Sequence, residues 1–504
     1  MLNIVRQYQN TIASPVQSSF VEWLLDMEAS RQEGVIQSRE YYDGIHNTQL
    51  TDRIRQFLQA SRSANFTVNY CPIVVDSKAD RLKVTGFSVE DTQKEMIWNW
   101  WRRNRMDRKQ GIIHRAACRD GDAFVLIEWD PVANMPRFHF EPVYAGSGTM
   151  VYYSDERRDE IEMASKTWQM RSGLGAGKVV RKNLYFPDRI EKYIGHSDIA
   201  YGNWQPYEDE TTTPMPGKLG IAGVNWWTHD GTELGDPLGI PIVHFKNNDS
   251  GDSYGKSDLH NVIPVQDALN KAMIDLLGTM DVSGFPLLVG VGTDSWVDVK
   301  VGPGAVAAVS ASKNEADLKS IPGENPAGLL AAYNALVMEI ARISGTPLSY
   351  FQASGQTPAE GTMKQQEITL IARVEKSQTD YGNAWEDCFN IARRLHNAFG
   401  TGEELDTDEL IETVWKPAAS RNEKEHAETL AIKVEKLGVS EEKAQEEIGY
   451  DADDIAAFRR TKMRRQALTL RRGATAPALV AGTDNEQELT QTENETGEAA
   501  REAA

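Results

Sequence analysis

An α+β fold is what the amino-acid sequence predicts, and three observations predict it. Amphipathic helical runs occupy the first 60 residues and the stretch 421–470. A block from Asp122 to about Phe245 carries alternating and continuous apolar runs of strand length. Between Ile371 and Phe399, side chains that suit a packed seam recur at steps of three and four without a miss. At 504 residues the chain is too long for one core, and roughly 100–200 residues per domain suggests about three units.

The elements follow in order. Residues 1–60 read as helical, with Phe20, Leu24, Leu25 and Met27 in one amphipathic run. Tyr41-Tyr42-Asp43-Gly44 breaks it before another helix reaching Leu58. From Asn69 to Phe87, a helix around Ile73-Val74-Val75-Asp76 feeds a short strand around Leu82-Lys83-Val84-Thr85-Gly86-Phe87. Thr92 to Cys118 is predicted as a helix containing Trp98-Asn99-Trp100-Trp101-Arg102-Arg103-Asn104-Arg105. Such a segment could stack on nucleic acid, but tryptophan at helical spacing is more often core with arginines at its wet edge, and that reading is preferred.

Ala123-Phe124-Val125-Leu126-Ile127-Glu128-Trp129 is a strand, apolar except for Glu128, and Arg137 to Pro142 alternates as a half-buried one. Val151-Tyr152-Tyr153, Thr167-Trp168-Gln169 and Lys182 to Phe186 continue the series, which ends at Ile240 to Phe245. Tyr201 to Trp227 is an irregular excursion. A helix is expected from near Ser257, with the seam Val262, Gln266, Leu269, Met273, Leu276 and Met280. Pro264 falls inside it, so the helix should kink or restart there. Gly284 to Ile321 is rich in Gly, Val and short strand signals, and Pro326 opens a helix through Leu330, Leu336, Val337, Ile340 and Ile343. Ser344 to Gly361 reads as a loop around Tyr350-Phe351. The long helix, Thr362 to Phe399, has Gly382 as its expected bend. A strand at Ile411 to Trp415 precedes two charged helices in 421–470, and the tail after Arg472 is expected to be disordered.

Composition excludes several classes. No stretch approaches the roughly 18 apolar residues of a membrane span, and the N-terminus has no apolar leader, so no membrane role or secretion is expected. Cys71, Cys118 and Cys388 lie far apart, without metal or redox spacing, and read as buried reduced thiols. A net charge of −20 argues against a protein that grips DNA through many cations, though not against one that lets DNA slide.

Two motifs invite chemistry and fail on inspection. Gly173-Leu174-Gly175-Ala176-Gly177-Lys178-Val179 has Ser172 where a phosphate loop needs its first glycine. Val179 stands where that loop needs the magnesium-binding hydroxyl, so a flexible turn is the better reading. Gly251-Asp252-Ser253-Tyr254-Gly255 matches the serine-hydrolase elbow, but a polar loop separates Ser253 from the preceding strand. The nine histidines show no zinc-binding pattern. No catalytic residue, cofactor or metal site is expected.

Three phrases carry a resemblance. The first is Tyr41-Tyr42-Asp43-Gly44, followed by Asn69-Tyr70-Cys71-Pro72-Ile73-Val74-Val75-Asp76 and Val84-Thr85-Gly86-Phe87. The second is Pro241 to Asn248, leading into Gly255-Lys256-Ser257-Asp258-Leu259 and Gln266-Asp267-Ala268-Leu269-Asn270-Lys271. The third is Ile343-Ser344-Gly345-Thr346-Pro347 before the long helix. With these phrases and this order of elements, about Tyr41 to Leu470 resembles the portal proteins of tailed double-stranded DNA bacteriophages.

The resemblance implies a portal-type fold with a helix-rich wing, two-helix stem, β-containing clip, long wing helix and α-helical crown. It would place the wing at 1–256, the first stem helix at 257–283, the clip at 284–322 and the second stem helix at 326–343. The tunnel loop would be 344–361, the long helix and wing strand 362–420, the crown 421–470 and the disordered tail 471–504. It further implies a homo-oligomeric ring, usually of twelve subunits, at one capsid vertex, made in the host cytoplasm. Implied partners are double-stranded DNA in the channel, the terminase large subunit, the head–tail adaptor, and the major capsid and scaffolding proteins. Tyr350, Phe351, Gln352, Ser354, Gln356 and Thr357 of the tunnel loop would then meet DNA without a cation before Lys364. Two other readings stay open: a nucleic-acid-processing enzyme with an unrecognised site, and a virion scaffold protein that never touches DNA.

Overall fold

The computed structural model describes residues 15–46, 67–89, 91–154, 156–157, 160–170, 179–196, 204–207, 224–229, 231–232, 234–283, 287–291, 317–321, 326–351, 360–419, 430–436, 438, 440–448 and 457–464. Two compact units emerge, Met1–Ala419 and Ser420–Ala504.

In the first unit, α1 (Pro15–Tyr42) gives way to a turn at Gly44, whose φ of 80° suits a residue without Cβ. α2 (Cys71–Ala79) carries Pro72 in its first turn, where a missing N–H leaves no helical bond unmade, and it feeds β1 (Val84–Ser88) as predicted. The single helix expected over Thr92–Cys118 is instead two, α3 (Asp91–Arg103) and α4 (Met106–Asp120). Asn104 makes the break. Its Nδ2 donates to the Trp100 and Pro136 carbonyls (2.9 Å each), its oxygen accepts from Phe138 N (3.2 Å), and Arg105 turns left-handed. A buried amide committed to the neighbouring strand outcompetes helical continuity.

β2 (Asp122–Asp130) is the middle strand of an antiparallel three, between β3 (Met135–Pro142) and the later β10 (Ile242–Lys246). Asp122 through Ile127 are buried, which accounts for a run without alternation. β4 (Gly148–Tyr153), β5 (Ile161–Met170), β6 (Val179–Tyr185) and β7 (Arg189–His196) form an antiparallel meander. β8 (Gln205–Pro206) and β9 (Val224–Trp226) both pair with β7. A buried ion pair ties α1 to this sheet: Lys182 Nζ lies 2.7 Å from Glu28 Oε1, with both side chains fully covered.

α5 (Ile263–Ser283) begins at Ile263, not near Ser257. Ser257 Oγ donates to the Arg119 carbonyl (2.5 Å) and accepts from Leu259 N (3.0 Å), holding a turn that ends where Pro264 can sit in the first helical turn. β11 (Leu287–Val291) pairs antiparallel with β12 (Asp317–Ile321), and α6 (Ala327–Ser344) packs against α5. α7 (Glu360–Phe399) runs 40 residues, about 60 Å at 1.5 Å per residue. β13 (Glu412–Trp415) pairs antiparallel with β1. Gly382 lies inside the continuous α7 where β13 crosses it, and a Cβ there would meet Trp415 Nε1 at 3.3 Å. Close approach of the strand gives that glycine a packing reason.

The main core lies among α2, α4, α7 and the three-stranded sheet. Phe87 meets Phe389 (4.5 Å between centroids) and Trp101 (5.3 Å), while Trp385 meets Trp101 (5.1 Å) and Phe245 (4.7 Å). Trp100 and Trp101 are buried, so the tryptophan cluster is core, as preferred. Cys71, Cys118 and Cys388 are buried and form no disulfide. In the second unit, 430–436, α8 (Glu441–Ile448) and 457–464 are helical, and Arg459 pairs with Glu442 at 3.3 Å. The segment 471–504 lies outside the described residues.

Candidate functional site: a helix pair and its polar hub

α6 carries little charge for a helix with exposed positions, only Glu339 and Arg342. Residues 327–338 of α6 contain no charged side chain, and Leu330, Met338 and Ile343 are exposed, as is Met280 on α5. The inner face holds Val337, Ile340, Leu269 and Leu276, all buried. The expected α5 seam therefore holds from Val262 to Leu276, while Met280 is 53% exposed.

Polar side chains anchor this pair to the rest of the unit. Gln266 accepts from Tyr70 N (3.1 Å) and donates to the Val68 carbonyl (2.6 Å), while Asn270 accepts from Val68 N (3.0 Å). Tyr41 donates to Asp267 (2.6 Å). One face of α5 thus completes the backbone bonding of the segment leading into α2.

A second cluster lies at the turn before α5. Asp258, fully buried, accepts from Arg373 Nη2 (2.8 Å) and Asn248 Nδ2 (2.7 Å), and Lys78 Nζ stands 3.5 Å away. Lys78 and Tyr381 both donate to Asn247 Oδ1 (2.7 and 2.9 Å). Arg373 also donates to the Ser344 carbonyl at the end of α6. Burial raises the Asp258 carboxyl, but Lys78, Arg373 and the two asparagine amides outweigh it and hold it below the usual range. The hub joins α2, β10, the turn before α5, the end of α6 and the middle of α7. Its members include residues from the second and third phrases singled out in the sequence. Lys78 and Arg373 were not anticipated; the available signal was Lys78 sharing a helical face with Val74 and Val75.

After α6, Gly345 adopts φ 62° and its N–H caps the helix, and a 3₁₀ turn spans Leu348–Tyr350. Phe351 is buried edge-on to Tyr70 (5.5 Å between centroids). Tyr350 is half exposed, its hydroxyl accepting from Arg81 (2.9 Å), and Arg81 also pairs with Glu367 (3.0 Å). The first turn of the expected tunnel loop is thus packed and has a cation beside it, which sequence spacing did not reveal. Gln352, Ser354, Gln356 and Thr357 lie outside the described residues.

The chemical motifs gain no support from their surroundings. Met170 pairs with Val179 in antiparallel register, so the Gly173–Val179 stretch joins two strands instead of leading into a helix as a phosphate loop does. Ser253 is exposed in the loop between β10 and α5, without a helix directly after it. Gly255 has a packing reason: a Cβ there would lie 2.1 Å from the Gly121 carbonyl and 2.5 Å from that of Asn247. Among the described residues no group of three or more His, Cys, Asp or Glu side chains is placed to hold a metal. No helix among them is long and apolar enough to cross a membrane.

Exposed apolar side chains on the helix pair and a buried polar hub behind it are the features that stand out in the first unit. The chain belongs to the phage portal protein family, SPP1 Gp6-like, whose sequence profile matches residues 23–460. The portal protein of Mycobacterium phage D29 is 24% identical over 422 residues, covering 78% of each chain. That of Mycobacterium phage L5 is 23% identical over 419 residues, again covering 78% of each. Among solved structures, a chain from the neck of an empty gene transfer agent particle is 12% identical, with a TM-score of 0.43. That alignment covers 75% of this chain and 88% of the other. The protein is a portal protein, a component of the virion.

Proposed function

We propose that this portal protein assembles as a ring at one capsid vertex, through whose axis double-stranded DNA is packaged and later ejected. The observation that carries the reading is the set of exposed apolar side chains on α5 and α6, Met280, Leu330, Met338 and Ile343. Each of these side chains is already about half covered, so covering the rest with a neighbouring copy contributes about 1 kcal/mol, and a rotation axis repeats the contact at every subunit.

In this reading α5 and α6 are the stem, with 257–283 and 326–343 as its arms and the β11–β12 segment, 284–322, as the clip. The wing is 1–256, continued by the long helix and strand of 362–420; the crown is 421–470. The tunnel loop is 344–361, anchored through Arg81 and Tyr70 and presenting Tyr350, Gln352, Ser354, Gln356 and Thr357 to the duplex. Neutral groups there touch phosphates without the cumulative grip of cations. The ring is non-enzymatic: it docks the terminase large subunit, whose ATPase supplies the energy, and later the head–tail adaptor. Major capsid and scaffolding proteins surround it.

The test is a negatively stained image of the purified protein. Rings with an axial hole wide enough for a duplex are expected; closed or ring-free particles would refute the reading.

A further inference from the structure

A groove of about 690 Å³ opens where the α3–α4 junction meets the β2–β3 hairpin, lined by Arg103, Arg105, Lys109, Arg137, His139 and Trp129 among others. Its carboxylates, Asp130 and Glu128, are engaged within it. Asp130 accepts from Val132 N and Ala133 N (3.0 Å each) and pairs with Arg137 (2.8 Å), while Glu128 faces His139 at 3.7 Å. Arg103, Arg105 and the adjoining Arg108 are exposed, and among the described residues no carboxylate pairs with them. Burial, then repulsion from Arg137, Arg105 and Arg108, holds the Lys109 ammonium below the ordinary lysine range. In a chain of net charge −20, Arg103, Arg105 and Arg108 form a cluster of three exposed cations with no carboxylate paired to them among the described residues.

Arg105 adds an independent observation. Its φ of 57° is a conformation that favours glycine or asparagine, so an arginine held there is strained. A glycine would make the same turn without that strain and without the charge.

We propose that this groove is a docking site for the phosphate backbone of double-stranded DNA, separate from the stem and the tunnel loop. Guanidinium groups match phosphate geometry, and a polyanion asks only for charge. A protein partner would ask for an apolar centre, and the groove offers only Trp129 and Pro131 for one. At physiological salt the Debye length is about 8 Å, so the patch acts locally despite the chain's overall charge.

Closed circular DNA has no end to thread through an axial channel, so its binding reports an outer surface. The full-length protein should retain it, with affinity falling steeply as salt rises. Replacing Arg103→Ser, Arg105→Gly and Arg108→Ser together should weaken retention at least about tenfold and flatten the salt slope by about 2–3, near 0.9 for each phosphate no longer neutralised. Arg105→Gly alone should weaken DNA binding while its melting temperature stays level or rises, which keeps the test valid if the triple variant folds poorly. Unchanged retention by these variants would overturn the proposal. So would polyglutamate binding with equal affinity and equal dependence on the three arginines, which would assign the groove to an acidic protein.

Discussion

Arg373 and Asp258 lie 115 residues apart in sequence, yet Arg373 Nη2 reaches Asp258 Oδ1 at 2.8 Å. The same guanidinium binds the carbonyl of Ser344, so one side chain of the long helix holds both the turn before α5 and the end of α6.

Arg373→Met should therefore cost about 3 kcal/mol, because it leaves a buried carboxylate with Lys78 as its only cation. Denaturant unfolding of wild type and variant measures this. A loss below about 0.5 kcal/mol would mean that the hub does not anchor the helix pair.

A pH dependence follows from His114, whose Nδ1 donates to the Leu82 carbonyl (3.0 Å) while Nε2 accepts from Trp385 Nε1 (3.0 Å). Burial holds this imidazole down to about 4, against 6.5 unfolded. The unfolded chain then binds the proton first, so stability is complete above pH 6.5 and falls as pH drops towards 4. The loss is about 3 kcal/mol. Melting temperatures across that range should fall for wild type and much less for His114→Phe, whatever its absolute stability. Equal slopes would contradict the assignment. Asp258, held low, loses its contribution only in more acidic solution, below the ordinary carboxylate value of 3.8.

The loop after β10 separates packing from catalysis. Gly255→Ala should destabilise by about 2 kcal/mol or more, since backbone carbonyls occupy the space a Cβ needs. Ser253→Ala, at an exposed position, should leave both stability and phage yield unchanged. Lost infectivity with Ser253→Ala at normal stability would revive the hydrolase reading.

For the tunnel loop, Gln352→Lys together with Gln356→Lys should slow or stall packaging while rings and empty heads still form. Cations there would add salt-dependent grip on the passing duplex. Packaging at the normal rate in that double variant would contradict the low-friction account.

Much of this architecture was legible in the sequence, for identifiable reasons. Ala123 to Ile127 announces a strand because both its faces are buried, and Tyr381, Trp385, Cys388, Ala392 and Leu395 announce a helix because one stripe is. The α3–α4 break was not legible: Asn104 and Arg105 are neither glycine nor proline, and the cause lies at Pro136 and Phe138 on another strand. The hub escaped for the same reason. Lys78, Asp258 and Arg373 look like solvated charges until the fold places them together. Phe351 read as a loop residue, and only its contact with Tyr70 shows that the turn is packed.

Ring assembly is the claim on which the rest depends, and the mass of the purified full-length protein at micromolar concentration tests it most directly. The account predicts oligomers many times the 56.2 kDa of one chain. Monomers and dimers alone, with and without co-expressed capsid and scaffolding proteins, would contradict it.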